Sequence, residues 1–281
     1  MTPDISEFSY GFALTHEMIG RLGPISTAPV FPSLIQEGRA GGGYDLRLDA
    51  PGRLLFLQFK RADCMVRSTA QELKKGLTLS LPFYRLKITE RSRSDQHELL
   101  LRLDTGVDDV FYVAPRFHTP RELNDAWINN AVEQKSFFIR PRDIGQLDYR
   151  SHHVAFDSSN HYVCSEPRRV KATRGEEFEA ILRERLSIDE RPLSSGPIAE
   201  TLDRLERAQT SARADGLDLP IPADYFPDWL EPTLESTRAP IVSRGRRLPR
   251  EPRTKEERQI QEIADVALRA FGLQLIVAQE R

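Results

Sequence analysis

The sequence predicts an α/β fold, a mixed sheet flanked by helices, with a mostly helical and irregular C-terminal extension. Three observations carry this. Apolar residues recur at helical spacing between Ile5 and Leu22, and two extended apolar runs then flank a Pro51-Gly52 turn. Beyond about Leu186 the composition shifts to linker residues, prolines and amphipathic helices. A chain of 281 residues with 39% hydrophobic content can bury a sizeable core. The division expected is an α/β domain over 1–186 and an accessory region over 187–281 with a proline-rich arm and a terminal helix.

Taken in order, the first helix places Phe8, Phe12, Ile19 and Leu22 near one face, and Gly23-Pro24 ends it. Asp4 and Glu7 have the spacing of a capping box, so Glu7 has a purely local reading. A loop with Pro29 and Pro32 leads to the hairpin, in which Leu46 and Leu48 precede the turn and Leu54 to Phe59 follow it. A polar stretch to about Lys75 and the partly extended LTLSLPFYRLKI come next. SDQHELLLRL reads as a helix capped by Ser94 or Asp95, at whose start Gln96 and His97 have two readings, reaching the cleft of the Gln58-Phe59-Lys60 strand, or a local role in which Gln96 stabilises the helix start and His97 is exposed. Val110 to Val113 form a short buried strand, expected beside the Gln58-Phe59-Lys60 strand. KSFFI is a further strand, and HHVAF and HYV make a hairpin about an Asp-Ser-Ser-Asn turn. Its His152, His153 and His161 lack metal-ligand spacing and read as surface residues.

A helix over GEEFEAILRERL then gives way to the linker DERPLSSGP and the helix IAETLDRLERAQTSARA. The arm that follows clusters Tyr225, Phe226, Trp229 and Leu230, suited either to an interface with a protein partner or second copy, or to covering the chain's own sheet. The last helix aligns Ile260, Ile263, Ala264, Ala267, Leu268 and Phe271 on one face and stops at Gly272, before a strand LQLIVA.

Chemistry concentrates at the first hairpin. Side chains alternate along a strand, so Gln58 and Lys60 share a face, and pairing with the preceding strand can bring Asp45 alongside. Phosphodiester cleavage calls for a divalent ion on hard oxygen ligands, which Asp45 and Gln58 supply, and for a cation such as Lys60 to orient the nucleophile or neutralise developing charge. An acid on one strand, a hairpin, then Gln-x-Lys resembles the PD-(D/E)XK nuclease superfamily, which includes restriction endonucleases and Holliday-junction resolvases. The resemblance spans the N-terminal half and departs from the usual pattern at Gln58, where a carboxylate is commoner.

It implies a restriction-endonuclease-like sheet, Mg2+ or Mn2+ as cofactor, DNA as partner, and a helix acid for which Glu7 is the candidate and Glu37 the substitute. The function expected is metal-dependent endonuclease activity in phage defence or DNA processing. The alternative is a catalytically inactive nuclease-like subunit that binds nucleic acid or assembles with partners. Arg85, Lys87, Arg91 and Arg93 are read either as a phosphate track or as ordinary solvated charge.

Other classes fit less well. AGGGYD lacks the Gly-Lys-Ser/Thr ending of a Walker loop and is followed by a hairpin where a nucleotide loop needs a helix. A net charge of −2 predicts no global pull toward nucleic acid, so contacts must be local. Cys64 and Cys164 stand far apart, as expected of a cytoplasmic protein, and no apolar run is long enough to span a membrane.

Overall fold

A computed structural model of the chain describes residues 1–22, 52–91, 93–106, 109–188, 196–217 and 255–278. The N-terminal helix α1 (Glu7–Leu22) precedes β1 (Arg53–Phe59), β2 (Ala62–Met65), the short α2 (Gln71–Lys74) and β3 (Phe83–Ile88). Helix α3 (Gln96–Leu103) leads into β4 (Asp109–Pro115), α4 (Pro120–Ile128), β5 (Ser136–Ile139) and α5 (Pro141–Ile144). The hairpin β6 (His152–Phe156) and β7 (His161–Val163) is followed by two short strands, β8 (Arg168–Arg169) and β9 (Thr173–Arg174). Helices α6 (Gly175–Ile188), α7 (Pro197–Ala214) and α8 (Lys255–Phe271) precede the final strand β10 (Gln274–Ala278).

The strands form two sheets. A mixed sheet has the order β10-β1-β4-β5-β9, and an antiparallel one the order β2-β3-β6-β7-β8. β1 and β4 are parallel, with Leu57 opposite Phe111 and Gln58 opposite Tyr112, so the 110–113 strand lies where the sequence placed it. Parallel neighbours need a crossover, and α3 lies on that path.

The pleat of β1 divides the interior. Leu55, Leu57 and Phe59 join α1, α4 and α6 in one core, with Phe138 stacked on Phe178 at 3.8 Å. Leu54 and Phe56 point the other way, into a core shared by α3, α7, α8 and the inner faces of both sheets. Phe137 of the mixed sheet stacks on Phe156 of the antiparallel sheet at 4.1 Å, which joins the two. Such aromatic pairs add about 1 kcal/mol beyond the area they bury. Helix α4 starts at a capping box, Thr119 and Glu122 exchanging bonds with each other's backbone, ahead of Pro120 at its first position.

Two expectations change here. The C-terminal region is not an appendage in its described parts. β10 pairs antiparallel with β1 from Arg53↔Ala278 to Leu57↔Gln274, while α7 and α8 bury Leu205, Ile260, Ile263 and Phe271 in the same core as Phe56. A boundary near 186 therefore does not separate two cores, because the apolar stripe of α8 is covered by the sheet's own helical layer. The hairpin also changes. Between Leu55 and Leu57 both edges of β1 are taken, by β4 and by β10, so the antiparallel partner along that stretch comes from the far end of the chain. The 44–48 run and the arm with Tyr225, Phe226, Trp229 and Leu230 lie outside the described residues.

Gly175 opens α6 where no larger residue fits. A Cβ there would lie 1.6 Å from the Glu133 carbonyl oxygen, so the helix approaches that backbone as closely as glycine allows. No described helix is long and apolar enough to cross a membrane. Cys64 and Cys164 are both free and buried.

Candidate active site

The carboxyl end of β1 is where three elements meet. Beyond its last residue the strand keeps its grip on β4, Lys60 N donating to the Val113 carbonyl at 2.8 Å. On the β10 side pairing stops at Leu57, so Gln58 and Lys60 leave that edge with their side chains on the α3 face. There the first residue of α3 receives them. Lys60 Nζ donates to Gln96 Oε1 at 2.8 Å, and Gln96 Nε2 donates to Gln58 Oε1 at 2.8 Å. Gln58 Nε2 turns to the Phe59 carbonyl at 3.3 Å.

The start of α1 reaches the same end from the opposite face of the sheet. Glu7 Oε1 accepts a long bond of 3.4 Å from Arg61 N, the residue after Lys60. The local capping role belongs to another side chain, because Ser6 Oγ accepts from Ser9 N at 2.9 Å. Glu7 is thus turned across the helix–sheet boundary.

Burial lowers the Lys60 ammonium from its ordinary range, and the Glu7 carboxylate partly opposes that shift. Both α1 and α3 begin here, so two helix dipoles present their positive ends beside the lysine.

His97 holds this arrangement from behind. Its Nε2 lies 2.8 Å from the Gly145 carbonyl, an acceptor, so that nitrogen carries the proton and Nδ1 accepts from the Tyr112 hydroxyl at 3.1 Å. Tyr112 sits opposite Gln58 on β4, so the bond ties the start of α3 to the strand beside the site. The histidine is buried, not exposed as the sequence suggested, and burial pushes its pKa down to about 4. His152 and His161 are buried as well, because each lies on a covered face of the antiparallel sheet. His152 bonds Ser165 and Asp148, and His161 lies against Phe137.

The donors present suit a hard cation. An amide oxygen at Gln58 and a carboxylate at Glu7 are oxygen ligands of the kind Mg2+ or Mn2+ takes alongside several waters. Among the described residues no three His, Cys, Asp or Glu side chains come together as a group that could hold a metal ion. Asp45 and Glu37, the other acids expected near this end, lie outside the described residues.

The four basic residues read as a phosphate track each carry an acid. Arg85 is held between Asp63 at 3.2 Å and the buried Glu72 at 3.0 Å. Lys87 and Arg93 both pair with Glu90, at 3.4 and 2.7 Å, and Arg91 pairs with Asp95 at 3.5 Å. Arg85 is committed to the antiparallel sheet by its two partners, whereas the side chains of Lys87 and Arg93 are half or more exposed. Exposed pairs of that kind are worth little.

Gln96 is the residue whose importance the sequence understated. Its signal was its place at the first turn of a helix that follows the Gln-x-Lys strand. Comparison with known proteins finds no matching family model, no matching curated protein and no matching solved structure.

Proposed function

We propose that the chain is a metal-dependent endonuclease that hydrolyses phosphodiester bonds in DNA, using the carboxyl end of β1. The observation that supports this most is that the end of β1 carries an amide oxygen and an ammonium, Gln58 and Lys60, both bonded to Gln96, while the carboxylate of Glu7 at the start of α1 accepts from the N–H of the next residue, Arg61. Gln58 Oε1 and Glu7, with Asp45, would hold Mg2+ or Mn2+. When bound, such an ion polarises the phosphate and lowers the pKa of an attacking water.

The remaining work falls to the chain's own groups. Lys60 Nζ, held in place by Gln96, offers a positive charge to the phosphate oxygens as the bond to the leaving oxygen lengthens. Its lowered pKa makes the ammonium a better acid, so it can hand a proton to that oxygen or to water bridging to it. The two helix N-termini hold the phosphate against the lysine before reaction. Lys87 and Arg93, the basic members of exposed ion pairs with Glu90, extend the basic surface along the duplex. Phage defence or DNA processing is the setting that suits such an activity.

Lys60→Ala and Asp45→Ala are expected to abolish cleavage of plasmid and linear DNA in Mg2+ or Mn2+, with DNA affinity and unfolding midpoint nearly unchanged. Ground-state affinity comes mostly from other phosphate contacts. Chelation should silence the wild type, and Gln58→Glu should retain activity. Cleavage that persists in both alanine variants would overturn the mechanism. A second reading is favoured by the neutral amide at Gln58, namely a nuclease-like subunit that binds DNA without cutting it. Binding without cleavage under all these conditions would select it.

A further inference from the structure

An amide in a ligand position carries an ambiguity that a carboxylate does not. Its two ends have nearly the same shape, but only the oxygen can face a cation, and a turn of the terminal torsion by half a circle presents NH2 instead. At the carboxyl end of β1 the contacts around Gln58 remove the choice. An ammonium has donors only, so the atom of Gln96 that lies 2.8 Å from Lys60 Nζ must be its oxygen. The other end of Gln96 is then NH2, a donor, so the Gln58 atom 2.8 Å from it must be an acceptor. Gln58 is left with its NH2 toward the Phe59 carbonyl, which accepts at 3.3 Å. The direction of every bond in the chain is set by the lysine.

We infer that Gln96 is a positioning residue that transmits the lysine's polarity to Gln58 and so keeps the Gln58 amide oxygen, not its NH2 group, turned into the site. This rests on the metal-centre reading above. The amide oxygen has two lone pairs, of which Gln96 uses one and leaves the second to a cation. Gln96 is itself held, because His97 beside it is tied to Tyr112 and to Gly145. The inference explains how Gln can stand where a carboxylate is the commoner ligand. A carboxylate has no wrong end and needs no such neighbour, so the requirement for Gln96 should vanish when Gln58 becomes Glu.

The test is a set of variants of the full chain: wild type, Gln96→Leu, Gln58→Glu and the two combined. Mn2+ affinity is read by titration calorimetry. Partners that orient a ligand are typically worth about tenfold to a hundredfold in metal affinity. Gln96→Leu should therefore weaken Mn2+ binding about tenfold or more when residue 58 is Gln, and by no more than about twofold in the Gln58→Glu background. Equal losses in both backgrounds, or none in either, would overturn the inference.

A second readout needs no metal. Unfolding midpoints of Gln58→Leu, Gln96→Leu and the double variant should be non-additive, the double losing less than the two singles together, because each single strands the partner of the other. Additive midpoints would overturn the hydrogen-bond chain whatever the metal result. A wild type that binds no Mn2+ but gives non-additive midpoints would sink the metal-centre reading while leaving the polarity chain in place. If Gln96→Leu proves too unstable to titrate, Gln96→Ala takes its place under the same criteria.

Discussion

Replacing His97 tests the tertiary reading of the site through an acid limb of stability. Folded, this imidazole is neutral down to about pH 4, because burial is the largest influence on it, with the nearby His152 adding and the Gly145 carbonyl opposing. Unfolded, it takes up a proton at its ordinary value of 6.5. The unfolded chain therefore binds more protons than the folded one between those values, and stability falls as pH falls. The contribution is fully present above about pH 6.5 and is lost as pH drops toward 4, a total of about 3 kcal/mol. From pH 7 to pH 5 the loss from this group alone is about 2 kcal/mol. The assay is urea unfolding of wild type and His97→Gln at a series of pH values. The variant starts from a different stability, because the bond to Tyr112 changes, but its curve should lack this limb. Parallel curves for the two chains, or a wild type that gains on the variant toward pH 5, would refute the burial of a neutral His97.

Two further outcomes are expected. Gly175→Ala should destabilise the chain by about 3 kcal/mol, because the added carbon would meet the Glu133 backbone and neither segment can yield cheaply; an unchanged unfolding midpoint would contradict that close approach. Glu7→Gln keeps the acceptor for Arg61 N while removing the charge, so cleavage and Mn2+ affinity should fall together with little change in the midpoint. Loss of stability with Mn2+ affinity intact would return Glu7 to a structural role.

What the sequence determined by itself was the set of features fixed by local period and turn chemistry. The alternation in Leu54-Leu55-Phe56-Leu57-Gln58-Phe59-Lys60 places Gln58 and Lys60 on one face in any sheet that contains the run, and they share that face here. The same holds for the buried Val110 to Val113 strand, the Asp157 turn, where Oδ1 accepts from Ser159 N and Asn160 N at 2.7 Å, and the stripe of α8 ahead of LQLIVA. The Thr119-Pro120-x-Glu122 capping box that starts α4 is local chemistry of the same kind, but the helix emerged only with the structure.

Tertiary structure decided the rest. Which strand covers the free edge of β1 depends on backbone donors that any extended segment can satisfy, and β10 takes it from the other end of the chain. His97, His152 and His161 are polar in composition but buried by a second sheet and by α3, whose positions no local window encodes. Arg85 looks like its basic neighbours in sequence, yet it alone of the four faces the buried Glu72. Gln96 acquires its role only because the start of α3 falls beside a strand end 36 residues earlier, where an ammonium lacking any acceptor fixes the direction of each amide in turn.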